Sequence, residues 1–559
     1  MAAAPVPSAL NPNTQAFPTL TANQIARIRS LGRTRPVHRG DILFDLDCPN
    51  IPFFVVLSGS MDVVQPGYNG ERLVAQHGPG QFTGEMNMVS GRRAIVRGRV
   101  TESGEFLELT ADDLRSLIAR DAELSEIFMR AFILRRLALV SSGQGNVILM
   151  GSRHSAQTLA LREFLTRNEH PYTYVDLDTD SESQELLDRF NIRTSEIPVI
   201  VCPIRGCVYH NPTIQGLADG LGLNAAVDQT VVRDVIIVGA GPSGLAAAVY
   251  AASEGLDALV IETTAPGGQA GSSSKIENYL GFPTGISGQE LAARAIAQTE
   301  KFGARMMVAH DVVRLDCDKR PYKVVLDNGS QLAARSIVIA TGAQYNKPPL
   351  ANLKKFEGAG IYYAATFMES QLCEKEDLIV IGGGNSAGQA AVFLSQTARK
   401  VYMLVRSKQL SDTMSRYLVQ RIEENPNIEL HYQTEITALE GDTHLESVTW
   451  KDKKTGESST HNIRHVFIMA GASPRTDWLR GCVELDEKGF ILTGRDLDGL
   501  QKSDAPGETP TRERYMLETS LLGVFAVGDV RAGNIKRVAS AVGEGAMSIH
   551  LVHRALVDL

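Results

Sequence analysis

The chain has 559 residues, of which 43% are hydrophobic and 21% charged, with a formal net charge of -8. A single core does not extend through that length, so about three to five domains of ordinary globular composition are expected. The charge supplies no basic field for nucleic acid or an anionic membrane, no apolar run approaches the ~20 residues of a membrane span, and the start MAAAPVPSALNPNTQ has neither the basic region nor the apolar stretch of a secretory signal.

Residues 1–20 are small and Pro-containing and are expected to be disordered. From 21 to 144 short strand-like runs, DILFDL, FFVVLSGSMDVV, RLVAQHG and RGRVTESGEFLEL, are punctuated by Gly, Pro and Asn. The helical stretch ADDLRSLIARDAELSEIFMRAFILRRLALV follows, with Asp112 or Asp113 at its start and Leu114, Leu117 and Ile118 on one face. The pattern predicts a β-roll closed by helices. Its segment GQFTGEMNMVSGRRAIVRGRV resembles the phosphate-binding cassette of cyclic-nucleotide-binding domains. The resemblance implies a cyclic nucleotide cradled at Gly84, with Glu85 on the ribose hydroxyl and Arg92 or Arg93 on the phosphate. The cassette is a residue or two short, and Asn87 stands where a small apolar residue is usual. No helix-turn-helix follows, which disfavours a DNA-binding regulator.

Between 145 and 222 the order is βαβαββα: NVILMG, SAQTLALREFLTRN, YTYVDLD, SQELLDRF, PVIVC, CVYHN and TIQGLADGL. This unit resembles a thioredoxin or glutaredoxin fold, with Ile197-Pro198 where that fold carries its cis-proline. Its dithiol position is occupied by Ser152-Arg153-His154-Ser155, so a docking or structural role is expected. Residues 223–231 form a linker.

The run RDVIIVGAGPSGLAAAVYAASEGLDALVIET places Gly239-x-Gly241-x-x-Gly244 between an apolar strand and an Ala-rich helix that includes Pro242 and Ser243. The first glycine permits the tight turn, the second lets a pyrophosphate approach, and the third lets helix pack on strand. The next strand ends at Glu262, placed to accept from a ribose diol. Together with PGGQA, IENYLGFP, SIVIATGA, VIGGGNSA and GVFAVGDVRAGNIKRVASAVGEG, this region from about Val232 to Leu559 resembles the thioredoxin reductase family of FAD- and NAD(P)H-dependent oxidoreductases. The resemblance implies FAD at the Gly239–Gly244 turn and Glu262. It places Gly268, Gln269 and Asn278 along the flavin and its ribityl chain, with Thr341 and Gly342 lining the site. Gly528 and Asp529 fall at the ribityl hydroxyls, and Lys536, Arg537 and Val538 in a segment that closes over the ring. It also implies a homodimer; the acceptor is open between an external disulfide protein, a quinone, a ferredoxin-type carrier and oxygen.

A second turn, Gly382-x-Gly384-Asn385-Ser386-Ala387, opens another strand–helix unit. The following strand ends Leu404-Val405-Arg406-Ser407 with no carboxylate at the diol position, which favours NADPH over NADH through Arg406. The expected layout is multidomain α/β, with the β-roll and thioredoxin-like domain followed by two Rossmann-like nucleotide-binding domains. FAD binding is assigned to 232–350 and 473–559, NAD(P)H binding to 351–472.

The family's redox-active Cys-x-x-C falls at Ala364 to Phe367 or Ala365 to Met368, where no sulfur pair exists. A thiol relay needs one thiol to attack and one to resolve, whereas hydride transfer to a flavin needs neither. The six cysteines, Cys48, Cys202, Cys207, Cys317, Cys373 and Cys482, form no Cys-x-x-C. They predict a reducing, cytoplasmic setting with no disulfide framework and no metal site, only Cys202 and Cys207 being near enough to pair.

Overall fold

The computed structural model describes residues 15–67, 70–84, 87–90, 92–141, 147–153, 155–178, 193, 196–202, 207–224, 227–273, 275–498 and 513–558. The chain divides into two compact units. One gathers the residues up to Gly151, Phe164–Val227 and Ala297–Val308; the other holds Ser152–Glu163, Asp228–Ile296 and Ala309–Leu559.

In the first unit, two antiparallel sheets make the β-roll. One orders Arg33–Val37, Gly104–Leu109 and Phe53–Val56. The other orders Ile42–Phe44, Arg97–Glu102, Ser60–Gly67 and Gly70–His77. Strand Phe53–Val56 is buried throughout, and Phe53, Phe82, Phe128 and Phe132 pack ring against ring, Phe82 and Phe128 at 4.8 Å between centroids. The helical stretch is two helices, Ala111–Arg120 and Ala122–Ser141. The first is capped by Thr110 with Asp113 at the third position, which corrects the expectation that Asp112 or Asp113 would begin it. Helix Ala22–Arg29 begins on a second capping box, Thr21 with Gln24. Ala16 and Leu20 are buried, so residues 15–20 are packed instead of disordered; residues 1–14 lie outside the described residues.

The sheet of the segment expected to be thioredoxin-like orders Cys207–His210, Val199–Cys202, Val147–Gly151 and Tyr172–Asp176, with only the last pair parallel. The Ile197–Pro198 bond is cis. The expected helix SQELLDRF and the residue His154 lie outside the described residues. Cys202 and Cys207 face one another across the hairpin, yet no disulfide joins them. Burial, then Cys207, pushes the Cys202 thiol up to about 12, so it is protonated and unreactive near neutrality.

The second unit carries both glycine turns. Strands Ala258–Glu262, Val232–Val238, Gln331–Ile339, Tyr322–Leu326 and Val312–Asp316 lie side by side, and Val524–Ala526 pairs along Gln331–Ile339. The second sheet is wholly parallel, in the order Ile361–Tyr362, His465–Ile468, Asp377–Ile381, Lys400–Val405, Ile428–Tyr432. Such strands are buried on both faces, hence the unbroken VIIV and LIVI runs. The two sheets are joined by an antiparallel ribbon of Ala343–Tyr345 and Ala472–Pro474.

The expectation of no disulfide is overturned: Cys317 and Cys482 are bonded, with their Cα atoms 6.0 Å apart. They are 165 residues apart in the sequence, so spacing carried no trace of the pairing. The fold makes it by setting the segment after strand Val312–Asp316 against the segment of Asp477–Leu479.

Candidate active site

Gly239 sits at φ 105°, and a Cβ there would lie 2.4 Å from the Ala340 carbonyl oxygen. Only glycine allows the chain to leave strand Val232–Val238 at this angle. Gly241 has ordinary extended backbone, and nothing but the Gly268 Cα, at 3.8 Å, stands within 4 Å of its Cβ position. It opens helix Pro242–Ser253, with proline in the first turn and no side chain capping the end. At Gly244 a Cβ would meet the Gly239 carbonyl oxygen at 1.8 Å, so the helix lies against its own turn. The result is a helix N-terminus with free N–H groups beside open backbone, the chemistry that holds a pyrophosphate.

Other candidates gather on the same turn. Glu262 accepts hydrogen bonds from the N–H groups of Ala240 (2.7 Å) and Thr264 (3.1 Å), which fixes its carboxylate at the end of its strand. Gly267 N–H donates to the Ala240 carbonyl, and Gly268 follows at φ 55°. Gln269 Nε2 donates to the Ala343 carbonyl (2.5 Å), and Thr341 Oγ1 to that of Arg475 (3.1 Å). Gly342 has positive φ and open space at its Cβ position. Gly528 packs against the buried Ser243, and its N–H donates to Glu544 (2.8 Å). Asp529 is half-buried; burial raises its carboxyl above the usual range, and Lys536 pulls it back. The Lys536 ammonium lies 4.8 Å from the Phe490 ring centroid, Arg537 is exposed, and Val538 starts the long helix Val538–Asp558. Asn278 is exposed.

In the second cradle Gly382 has φ 143°, Gly384 has open space at its Cβ position, and Asn385–Leu394 is the helix it opens. Asn385 Oδ1 accepts from the N–H and hydroxyl of Ser415, and Thr413 donates to the Gly383 carbonyl at 2.8 Å. Ala387 is buried under the turn, and Arg406 is exposed just past strand Lys400–Val405. Tyr345, which sequence reasoning did not single out, has its phenol pushed up by burial and further by Asp529, while Ser386 draws it back. It stands between the two cradles in the short strand that links their sheets; an aromatic three residues past Thr341-Gly342 was the available signal.

Where the family dithiol would fall, Ala364 and Ala365 are followed by Thr366, which donates from its N–H and hydroxyl to Glu369. Burial raises the Glu369 carboxyl. The nearest thiol, Cys373, is buried, donates to the Glu369 carbonyl at 3.2 Å and is pushed up to about 12 by burial.

The cyclic-nucleotide candidates are divided. Gly84 (φ 113°) lies at the wall of a cavity inside the β-roll, whereas Arg92 and Arg93 line a separate, smaller one with Arg136 and His170. Glu85 lies outside the described residues.

Two dinucleotide cradles, each following a parallel strand of one of two linked sheets, define an oxidoreductase of the flavin and nicotinamide class. Residues 233–545 match the pyridine nucleotide-disulphide oxidoreductase family, and residues 34–121 match the cyclic nucleotide-binding domain. The thioredoxin reductase of Streptomyces coelicolor is 34% identical over 315 residues, covering 56% of this chain and 91% of that one. The Bacillus subtilis thioredoxin reductase is 31% identical over 329 residues, covering 59% of this chain and 96% of its own. The crystal structure of Lactococcus lactis thioredoxin reductase superposes with a TM-score of 0.52 at 28% identity, covering 58% of this chain and all of that one. The chain belongs to the pyridine nucleotide-disulphide oxidoreductase family and is a thioredoxin reductase-like flavoprotein, carrying a cyclic nucleotide-binding domain at its N-terminal side. Among the described residues no helix is long and apolar enough to cross a membrane.

Proposed function

We propose that the chain carries electrons from NADPH through FAD to an acceptor that meets the flavin directly. The observation behind this reading is the combination of two open dinucleotide cradles with a cysteine-free segment at Ala364 to Met368. FAD, when bound, accepts an electron pair from the nicotinamide and hands it on. The protein's own work is positioning. The Gly239–Gly244 turn and its helix N-terminus would hold the pyrophosphate, Glu262 the ribose, and Asp529 the ribityl hydroxyls. Gln269, Asn278, Thr341 and Gly342 would line the ring, with Lys536 to Val538 closing over it. Gly382, Gly384, Asn385, Ser386 and Ala387 would seat the nicotinamide dinucleotide.

The acceptor is a small disulfide or ferredoxin-type protein, a quinone or oxygen, and the working form is a cytoplasmic homodimer. Steady-state NADPH oxidation by the flavin-loaded protein, run against a panel of those acceptors, tests the reading. Turnover with none of them would favour a non-catalytic sensor.

Arg406 carries the coenzyme preference. Its exposed guanidinium stands where an acid would otherwise select a ribose diol. Stopped-flow flavin reduction should be faster with NADPH than NADH, and Arg406→Ala should narrow the ratio by on the order of tenfold, the worth of a hydrogen bond to a charged group. A wild-type preference for NADH would refute the assignment.

A further inference from the structure

The β-roll encloses a cavity of about 280 Å³ that neither dinucleotide site uses. Its walls are largely apolar, with Phe44, Ile51, Val63, Met88, Val96 and Leu139 among them. Arg135, on helix Ala122–Ser141, also lines it and is only 7% exposed. Its Nε donates to the Ala16 carbonyl and its Nη1 to the Gly84 carbonyl, both at 2.8 Å. The guanidinium lies over the rings of Phe17 and Phe82, 4.9 and 4.8 Å from their centroids. Its Nη2 is buried with no partner, and no described carboxylate pairs with it. Burial draws this group down to about 9, which still leaves it cationic near neutrality. A buried cation whose charge is met only by two carbonyls and two ring faces is a costly arrangement unless an anion completes it.

The chemistry of the remaining polar lining narrows the anion. His77 is buried and held neutral, pushed down to about 3 by burial and then by Arg135, and its Nδ1 has no partner. Arg72 lies at the exposed edge, bonded to Gln65. No side chain lining the cavity among the described residues carries a hydroxyl, an amide or a carboxylate. Among the described residues the side-chain lining thus offers one acceptor, the neutral imidazole of His77, against the donors of two guanidinium groups. It suits a ligand whose polar end mainly accepts. Arg92 and Arg93, which would hold a cyclic phosphate, line the other cavity.

The geometry points to a binding site for a small amphiphilic acid, a carboxylate on an aliphatic or aryl body, with Arg135 pairing the carboxylate and the apolar walls taking the body. The site stands apart from electron transfer, so its test and the flavin test fail independently.

The experiment is calorimetry with a thermal-shift series on the full-length, flavin-loaded protein, using decanoate and 3-phenylpropionate as probes. Decanol, inorganic phosphate, cyclic AMP and cyclic GMP are the comparisons. At least one acid should bind, and decanoate should bind at least tenfold more tightly than decanol. Arg135→Met should abolish that preference while leaving flavin content and NADPH reduction unchanged. Its unliganded melting temperature should equal or exceed the wild type, because an unpaired buried charge has gone. The proposal is overturned by absence of binding for both acids, by equal affinity for decanoate and decanol, by undiminished decanoate binding in Arg135→Met, or by binding of a cyclic nucleotide where the acids do not bind. If Arg135→Met does not fold, decanoate against decanol on the wild type decides alone.

Discussion

Gly241→Arg is expected to yield folded, colourless protein. Nothing in the backbone at this position demands glycine: φ is -72° and ψ -177°. Nor does packing forbid a Cβ, whose nearest neighbour would be the Gly268 Cα at 3.8 Å. What the position keeps clear is the space in front of the helix N-terminus, and an arginine side chain would fill it and set its guanidinium where the pyrophosphate approaches. Loss of essentially all bound flavin with a near wild-type far-ultraviolet circular dichroism spectrum is therefore the expected result. Gly244→Ala should behave in the opposite way. Its Cβ would fall 1.8 Å from the Gly239 carbonyl oxygen, so helix and turn must separate, at a cost on the order of 3 kcal/mol of stability. The two variants separate the cradle's ligand space from its internal packing by absorbance at flavin wavelengths and thermal melting. A yellow Gly241→Arg protein would place the pyrophosphate elsewhere.

Anaerobic titration of the flavin-loaded protein should end at one equivalent of NADPH per FAD, with no thiolate-to-flavin charge-transfer band. The thiols and the disulfide bear on this. The segment from Ala364 to Met368 has no cysteine. Cys373 and Cys202 are buried and held protonated by that burial. The disulfide lies at the wrong end of its sheet: Asp316 is level with Lys323, Lys323 with Ala333, and Ala333 with Val232. Cys317 is thus near the start of strand Val232–Val238, three strands away, whereas ligands of such sheets bind beyond the carboxyl ends of the strands. At about 3.3 Å per residue and 4.8 Å per strand, that is roughly 27 Å from the glycine turn. The Cys317→Ser, Cys482→Ser and the Cys202→Ser, Cys207→Ser double variants should both titrate as wild type. Uptake of a second electron pair that either double variant abolishes would reveal a relocated relay and sink this reading.

What was legible in the sequence was local. Both glycine turns, the absent dithiol and the parallel-sheet strands are written in contiguous residues, because each follows from backbone freedom or burial within about ten positions. Strand Arg33–Val37 escaped notice because RTRPV carries two charges and a proline, and helix Ala22–Arg29 because its capping box was not weighed. What could not be read depends on distant chain segments. The Cys317–Cys482 bond is one case. Arg135 is another, since the Arg-Arg pair in AFILRRLALV looks like an ordinary charged position until Ala16, Phe17, Phe82 and Gly84 close around it. The division of the cassette between two cavities belongs with these, because Arg92, Arg93 and Gly84 are close in sequence and only their surroundings part them.

The ribbon of Ala343–Tyr345 and Ala472–Pro474 also makes residues 346–471, which carry the second glycine turn, an insertion in the literal sense. Ala343 and Pro474 are opposed across an antiparallel pair, so the chain leaves and re-enters at neighbouring points about 5 Å apart. The described strands of the sheet that carries the Gly239–Gly244 turn all lie outside residues 346–471. That sheet is architecturally complete on its own, and a tight turn would suffice to rejoin its two halves.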